Sequence, residues 1–152
     1  MEEIRIGDGY FMFYGYPLEQ LIANSRFNQI YGITTSCSAS WRGYKGEWGI
    51  SSDELFLGAL VKDPCDPCAF EAKYSRRKTF DLKKIIPNYD IKTNYYHKAD
   101  WFSGEIVIPI SEYRDVKGKK NKSGHNYSEH QVIVYLIKKG NVESREIEYR
   151  ER

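Results

Sequence analysis

Trp41-Arg-Gly-Tyr-Lys-Gly-Glu-Trp48-Gly-Ile50, followed by Ser51-Ser-Asp-Glu54 and Leu55-Phe-Leu57, is the stretch that decides how this chain folds. Alternation with a period of two puts Tyr44, Gly46, Trp48 and Ile50 on one side of a strand. Trp41, Gly43, Lys45, Glu47 and Gly49 fall on the other side. Ser51 to Glu54 reads as a turn, and Leu55, Leu57 and Ala59 continue one face of the returning strand. Ala99-Asp-Trp101-Phe-Ser-Gly-Glu-Ile-Val-Ile-Pro109 repeats the signature, with Phe102, Gly104, Ile106 and Ile108 on one face. Large apolar residues on one face and small or charged ones on the other imply an antiparallel sheet over an aromatic core. Glycines inside such strands imply curvature or close backbone approach.

Outward from this centre, Ile4-Arg-Ile6, Gly7-Asp-Gly9 and Tyr10-Phe-Met-Phe-Tyr14 predict an N-terminal hairpin. Pro17 with Leu18, Leu21 and Ile22 predicts a short helix over 17–24. Ile33 to Ser38 reads as a strand, residues 62–79 as irregular and Asn88 to Lys98 as a loop or a weak strand. Thr79 is placed to cap a second short helix that buries Leu82, Ile85 and Ile86 and stops at Pro87. Lys117-Gly-Lys-Lys-Asn-Lys-Ser-Gly124 reads as a polar, mobile loop. Gln131 to Lys138, a turn at Lys139-Gly-Asn141 and Val142 to Tyr149 predict a last hairpin. The sum is a single α+β domain over residues 1–152. It has a mostly antiparallel, curved sheet of about seven or eight strands and two short helices.

A chain of 152 residues can bury a sizeable core without disulfide or metal staples. Its 41% hydrophobic and 29% charged residues fit a soluble globular protein. Thirteen tyrosines serve equally as core filler and as contact residues. Net charge is +2 but uneven: residues 1–60 carry −3, residues 61–122 carry +5 and residues 123–152 balance. No apolar run is long enough to cross a bilayer. Met1-Glu-Glu-Ile-Arg5 does not read as a leader, and an odd count of three cysteines fits a reducing compartment, so the expected location is cytoplasmic.

The chain lacks a phosphate-binding glycine loop, an H-E-x-x-H pair and a nucleophile elbow, so no catalytic residues are nominated and it is read as a non-enzyme. Cys65-Asp-Pro-Cys68 is either a pair of loop cysteines or a reactive dithiol. With His125 and His130, Cys65 and Cys68 also supply the four ligand types of a structural zinc site, the one cofactor the sequence suggests. Arg42 either grips an anion or stacks on Trp41 or Tyr44. Asp100 either ties the entry to its strand or acts as a carboxylate catalyst. Arg76-Arg-Lys78, Lys83-Lys84 and the lysines of 117–122, with Tyr74, Tyr89, Tyr95 and Tyr96, offer a phosphate-binding face with stacking aromatics.

Both tryptophan signatures resemble a family of uncharacterised small bacterial proteins. The matching positions are Trp41, Arg42, Gly43, Tyr44, Trp48, Ile50, Leu55 and Leu57, then Asp100, Trp101, Phe102, Ser103, Gly104, Ile106 and Pro109. Pro17-Leu-Glu-Gln-Leu-Ile22 is similar to the family's N-terminal segment, whereas the Cys65–Cys68 and 117–122 stretches look private to this chain. The resemblance implies no assigned activity; small proteins of this sort are often immunity or accessory partners of toxin systems.

Taken together, the expectation is a non-catalytic protein that binds another macromolecule, first of all a protein such as a toxin or effector. An immunity-type inhibitor or accessory factor is the concrete form. Rigid aromatics would anchor the partner inside a charged rim. The residues nominated are Tyr14, Tyr16, Arg42, Lys45 and Glu47, with Lys117, Lys119, Lys120 and Lys122. The alternatives are a nucleic-acid or nucleotide binder using the basic middle region, and a zinc or dithiol protein.

Overall fold

Three tight turns organise the sheet. Gly7 (φ 59°) starts the turn between β1 (Glu2–Ile6) and β2 (Gly9–Phe13). Ser52 and Asp53, both at positive φ, join β3 (Tyr44–Ser51) to β4 (Glu54–Lys62). Lys139 and Gly140, again both positive, join β8 (Asn126–Lys138) to β9 (Asn141–Glu151). Two successive positive φ angles give the turn whose twist matches paired strands. Three further strands are β5 (His97–Lys98), β6 (Gly104–Pro109) and β7 (Arg114–Lys120). This computed structural model describes residues 2–21, 44–62, 79–86 and 97–151.

The nine strands form one mixed sheet in the order β2-β1-β3-β4-β9-β8-β6, with β5 on β4 and β7 on β8. Only β1 and β3 run parallel. The order closes on itself. Tyr14, just past β2, exchanges backbone bonds with Val107 of β6 at 2.9 and 3.2 Å. On the opposite side β4 meets β9 at Glu54–Asn141, where Leu55 N–H donates to Gly140 O and Val142 N–H to Asp53 O, both at 2.8 Å. Two ladders, β2-β1-β3-β4 and β6-β8-β9, are therefore hinged at two corners and enclose one core. Ile4, Phe13, Trp48, Leu55, Leu57 and Leu60 line it from the first ladder, and Ile106, Ile108, Tyr135 and Ile137 from the second.

The α+β expectation is corrected: among the described residues 66% are strand and 8% helix, in one mixed sheet with essentially no helices. The segment expected as a helix over 17–24 makes a 3-10 turn at Pro17–Gln20, and its remainder beyond Leu21 lies outside the described residues. The second expected helix is a single turn, α1 (Leu82–Ile85), capped by Asp81, whose Oδ1 accepts the Lys83 N–H at 3.1 Å. Thr79 instead pairs with Val61. An apolar trio at helical spacing is too short to nucleate a helix against its entropy. Here Leu18, Leu82, Ile85 and Ile86 simply pack into the core. The expected strand over 33–38 lies outside the described residues.

Two further expectations change. Glu47 faces Ala59 while Trp48 faces Leu57, so Gly58 is an extra residue, and Leu60 rather than Ala59 continues the core face. Half of the stretch expected as a mobile loop over 117–124 is strand: β7 runs to Lys120, which pairs with Asn126 at the start of β8. Asn121 closes the tip, its Oδ1 accepting the N–H groups of Ser123 and His125 at 3.0 Å each.

Candidate interaction surface

Both tryptophans of the described signatures are architectural. Trp48 is buried, and its Nε1–H donates to Glu2 Oε2 at 2.5 Å. Trp101 donates its Nε1–H to Pro17 O at 2.9 Å and meets Trp48 edge-on at 6.5 Å. Gly46 makes room for this pair, since a Cβ there would sit 2.2 Å from Trp48 Nε1 and 2.8 Å from Glu2 Oε2. His97 stacks on Trp101 with centroids 6.1 Å apart. Asp100 is exposed in the turn before Trp101.

The outer face of the same ladder is different. Alternation sends Glu2, Ile4, Phe11 and Phe13 toward the core side, and Glu3, Arg5, Tyr10 and Met12 outward. Tyr14 extends the outer row of β2. Tyr10 is 62% exposed, Met12 40% and Tyr14 45%. In register, Met12 lies beside Glu3 and Glu3 beside Glu47; Tyr10 lies beside Arg5 and Arg5 beside Gly49. Lys45 Nζ reaches Glu3 Oε2 at 3.2 Å, and the Arg5 guanidinium lies 5.7 Å from the Tyr10 ring centre while its Nε–H donates to Gly7 O. The result is a row of large side chains on an edge strand, bordered by two acids and two bases. Among the described residues, β2 pairs with β1 on one side and only Tyr14 is paired on the other.

Of the nominated residues, Tyr14, Lys45 and Glu47 come together on this face. Tyr16 is half-buried where the 3-10 turn begins, its carbonyl accepting the Glu19 N–H at 3.0 Å. Arg42, Cys65 and Cys68 lie outside the described residues, as do Arg76-Arg-Lys78, Tyr74, Tyr89, Tyr95 and Tyr96. Lys117, Lys119, Lys120 and Lys122 are exposed at the far end of the other ladder. Tyr10, Met12, Glu3 and Arg5 were not among the nominated residues.

His125 and His130 stand five residues apart on extended chain, roughly 16 Å end to end at strand rise and with opposite parity. His125 is exposed at the ribbon tip. His130 is buried, with its Nδ1 3.1 Å from Arg150 O and its ring 4.1 Å from that of Tyr113. Among the described residues no group of three or more His, Cys, Asp or Glu is placed to hold a metal ion.

Charge on the second ladder is mostly paired. Arg150 bonds Glu105 at 2.9 Å and Glu148 at 2.5 Å, and those two carboxylates raise its pKa. These groups share a face with the small cluster Val107, Val132 and Val134. Arg114 bonds Glu129 at 3.0 Å and lies 4.7 Å from the Tyr149 ring centre; the Glu129 hydrogen bond, then Tyr149, raise its pKa. Among the described residues no helix is long and apolar enough to cross a membrane.

No family model, curated protein or solved structure matches this chain. The resemblance of the tryptophan signatures therefore passes on no activity, and function is argued from the surface itself.

Proposed function

We propose that this chain is a non-catalytic binding protein that docks another protein on the outer face of β2, β1 and β3. The row Tyr10, Met12 and Tyr14 carries the reading. These are side-chain types enriched in interface centres, here set on a rigid strand and exposed together. Glu3, Arg5, Lys45 and Glu47 form the polar rim that fixes orientation and partner choice. Trp48 and Trp101 are held by the fold, which leaves the outer row to supply the anchors.

The test is site-specific photo-crosslinking in the native host, with a photoreactive residue placed in turn at Tyr10, at Tyr14 and at the control position Leu136, which is equally exposed on β8. One protein should crosslink from both β2 positions and not from β8, and the Y10A/M12A/Y14A variant should release it while unfolding at the same denaturant midpoint. A partner captured equally from all three positions, or retained by the triple variant, refutes the assignment.

A further inference from the structure

Positive charge is concentrated in a short segment of the β7–β8 ribbon. Residues 116–127 hold Lys117, Lys119, Lys120 and Lys122 and no acid, a net +4, so against a total of +2 the remaining residues carry −2. These twelve residues form the tip of the β7–β8 ribbon. The last described residue of β9, Glu151, faces Glu129, and among the described residues β8 beyond that pair faces only β7.

Carboxylates at the base of the tip are engaged elsewhere: Asp115 accepts from Ser128 Oγ at 2.5 Å, and Glu129 pairs with Arg114. Among the described residues none of the four lysines is within ion-pair distance of a carboxylate. Lys120 donates to Asn126 Oδ1 at 2.6 Å, and Lys119 lies 5.0 Å from the Tyr127 ring centre. Lys120 pairs with Asn126 and the Asn121 turn closes the tip, while Val116 to Lys119 form a bulge between the Asp115–Ser128 and Lys120–Asn126 pairs. A solvated charged loop needs none of this order.

We propose that the lysine-lined tip of the β7–β8 ribbon is a DNA-binding arm that lies in the major groove of a duplex. Two paired strands fit a groove about 12 Å wide, whereas the major groove of an RNA duplex is too narrow to admit them. Exposed lysines along the ribbon reach the phosphates that border the groove, and as point charges they fix position without reading bases. The tip carries no row of apolar side chains of the kind an interfacial membrane segment inserts. It also lacks the cluster of large anchors found at protein interface centres. This arm is separate from the β2 surface and does not depend on it.

Fluorescence anisotropy with a labelled duplex of about 20 base pairs tests the arm. Four phosphate contacts give a slope of about −3.6 for log K against log salt, or about a 100-fold loss between roughly 50 and 200 mM. Each single Lys→Gln change should reduce the slope by about 1, regardless of duplex sequence. The K117Q/K119Q/K120Q/K122Q variant should not bind, while keeping its unfolding midpoint because all four side chains lie in solvent. No binding at 50 mM salt, a salt slope unchanged in the quadruple variant, or equal affinity for single-stranded DNA, a polyglutamate chain or phosphatidylserine vesicles would overturn the proposal.

Discussion

Replacing Trp48 by Phe tests whether the central ribbon is held by the contact between Trp48 and Glu2. The indole N–H reaches a carboxylate oxygen at 2.5 Å in a site where Glu2 is 2% exposed. A hydrogen bond to a charged group contributes about 1.5–3 kcal/mol. Loss of the smaller indole ring and its edge contact with Trp101 adds about 0.5–1.5 kcal/mol. The sum is about 2–4.5 kcal/mol, which at about 2–4 °C per kcal/mol for a chain of this size lowers Tm by about 4–18 °C. Urea unfolding followed by the fluorescence of the remaining tryptophans and by circular dichroism gives the number directly. A double-mutant cycle with Glu2→Gln then isolates the pair, and a coupling of about 1–2 kcal/mol is expected. A loss below about 1 kcal/mol for Trp48→Phe, or no coupling, would show that Glu2 is held by other groups and that Trp48 merely fills space.

Gly140→Ala should cost more than about 2 kcal/mol in urea unfolding. Its φ of 77° disfavours any side chain by about 1–2 kcal/mol, and a Cβ there would lie 2.8 Å from the backbone oxygen of Ala99. A loss under 1 kcal/mol would mean that the β4–β9 corner tolerates opening. Arg150→Gln should lower stability by the same amount at about pH 6 and about pH 9. Its pKa is raised by Glu105 and Glu148, so the charged contribution is complete below the unfolded arginine value and fades only as pH rises through the higher folded one. A cost that changes by more than about 0.5 kcal/mol across that window would mean that groups other than Glu105 and Glu148 hold Arg150.

Turns and core parity were legible because their chemistry is local. Gly7-Asp-Gly9, Ser51-Ser-Asp-Glu54 and Lys139-Gly-Asn141 each occupy the positive-φ turns that their residues suit, and Trp48, Leu57, Ile106 and Ile108 are buried as alternation requires. Ring closure was not legible. It depends on Tyr14 meeting Val107 and Gly140 meeting Leu55, contacts between segments far apart in sequence with no signature of their own. Gly58 hid for a related reason, because a bulge is defined by the strand opposite. The short helices were over-read, since apolar residues at spacing three and four also arise wherever chain covers the end of a core. The β7 ribbon was read as a loop because a strand in water on both faces has no apolar alternation to announce it.

The surface proposed to dock a partner is half legible in the sequence, and the missing half has a signal in the N-terminal hairpin. In residues 10–14 both parities are large: Phe11 and Phe13 on one, Tyr10, Met12 and Tyr14 on the other. The partner segment Glu2 to Ile6 has apolar residues on one parity only, with Glu3 and Arg5 on the other. Paired strands share faces, so Phe13 lies opposite Glu2 and Phe11 opposite Ile4 on the core side, while Met12 and Tyr10 lie opposite the charges of Glu3 and Arg5. A strand apolar on both sides beside one that is apolar on a single side must expose its surplus row. That row then has only solvent or another molecule to cover it, and the charges already beside it leave room for a partner's complementary rim.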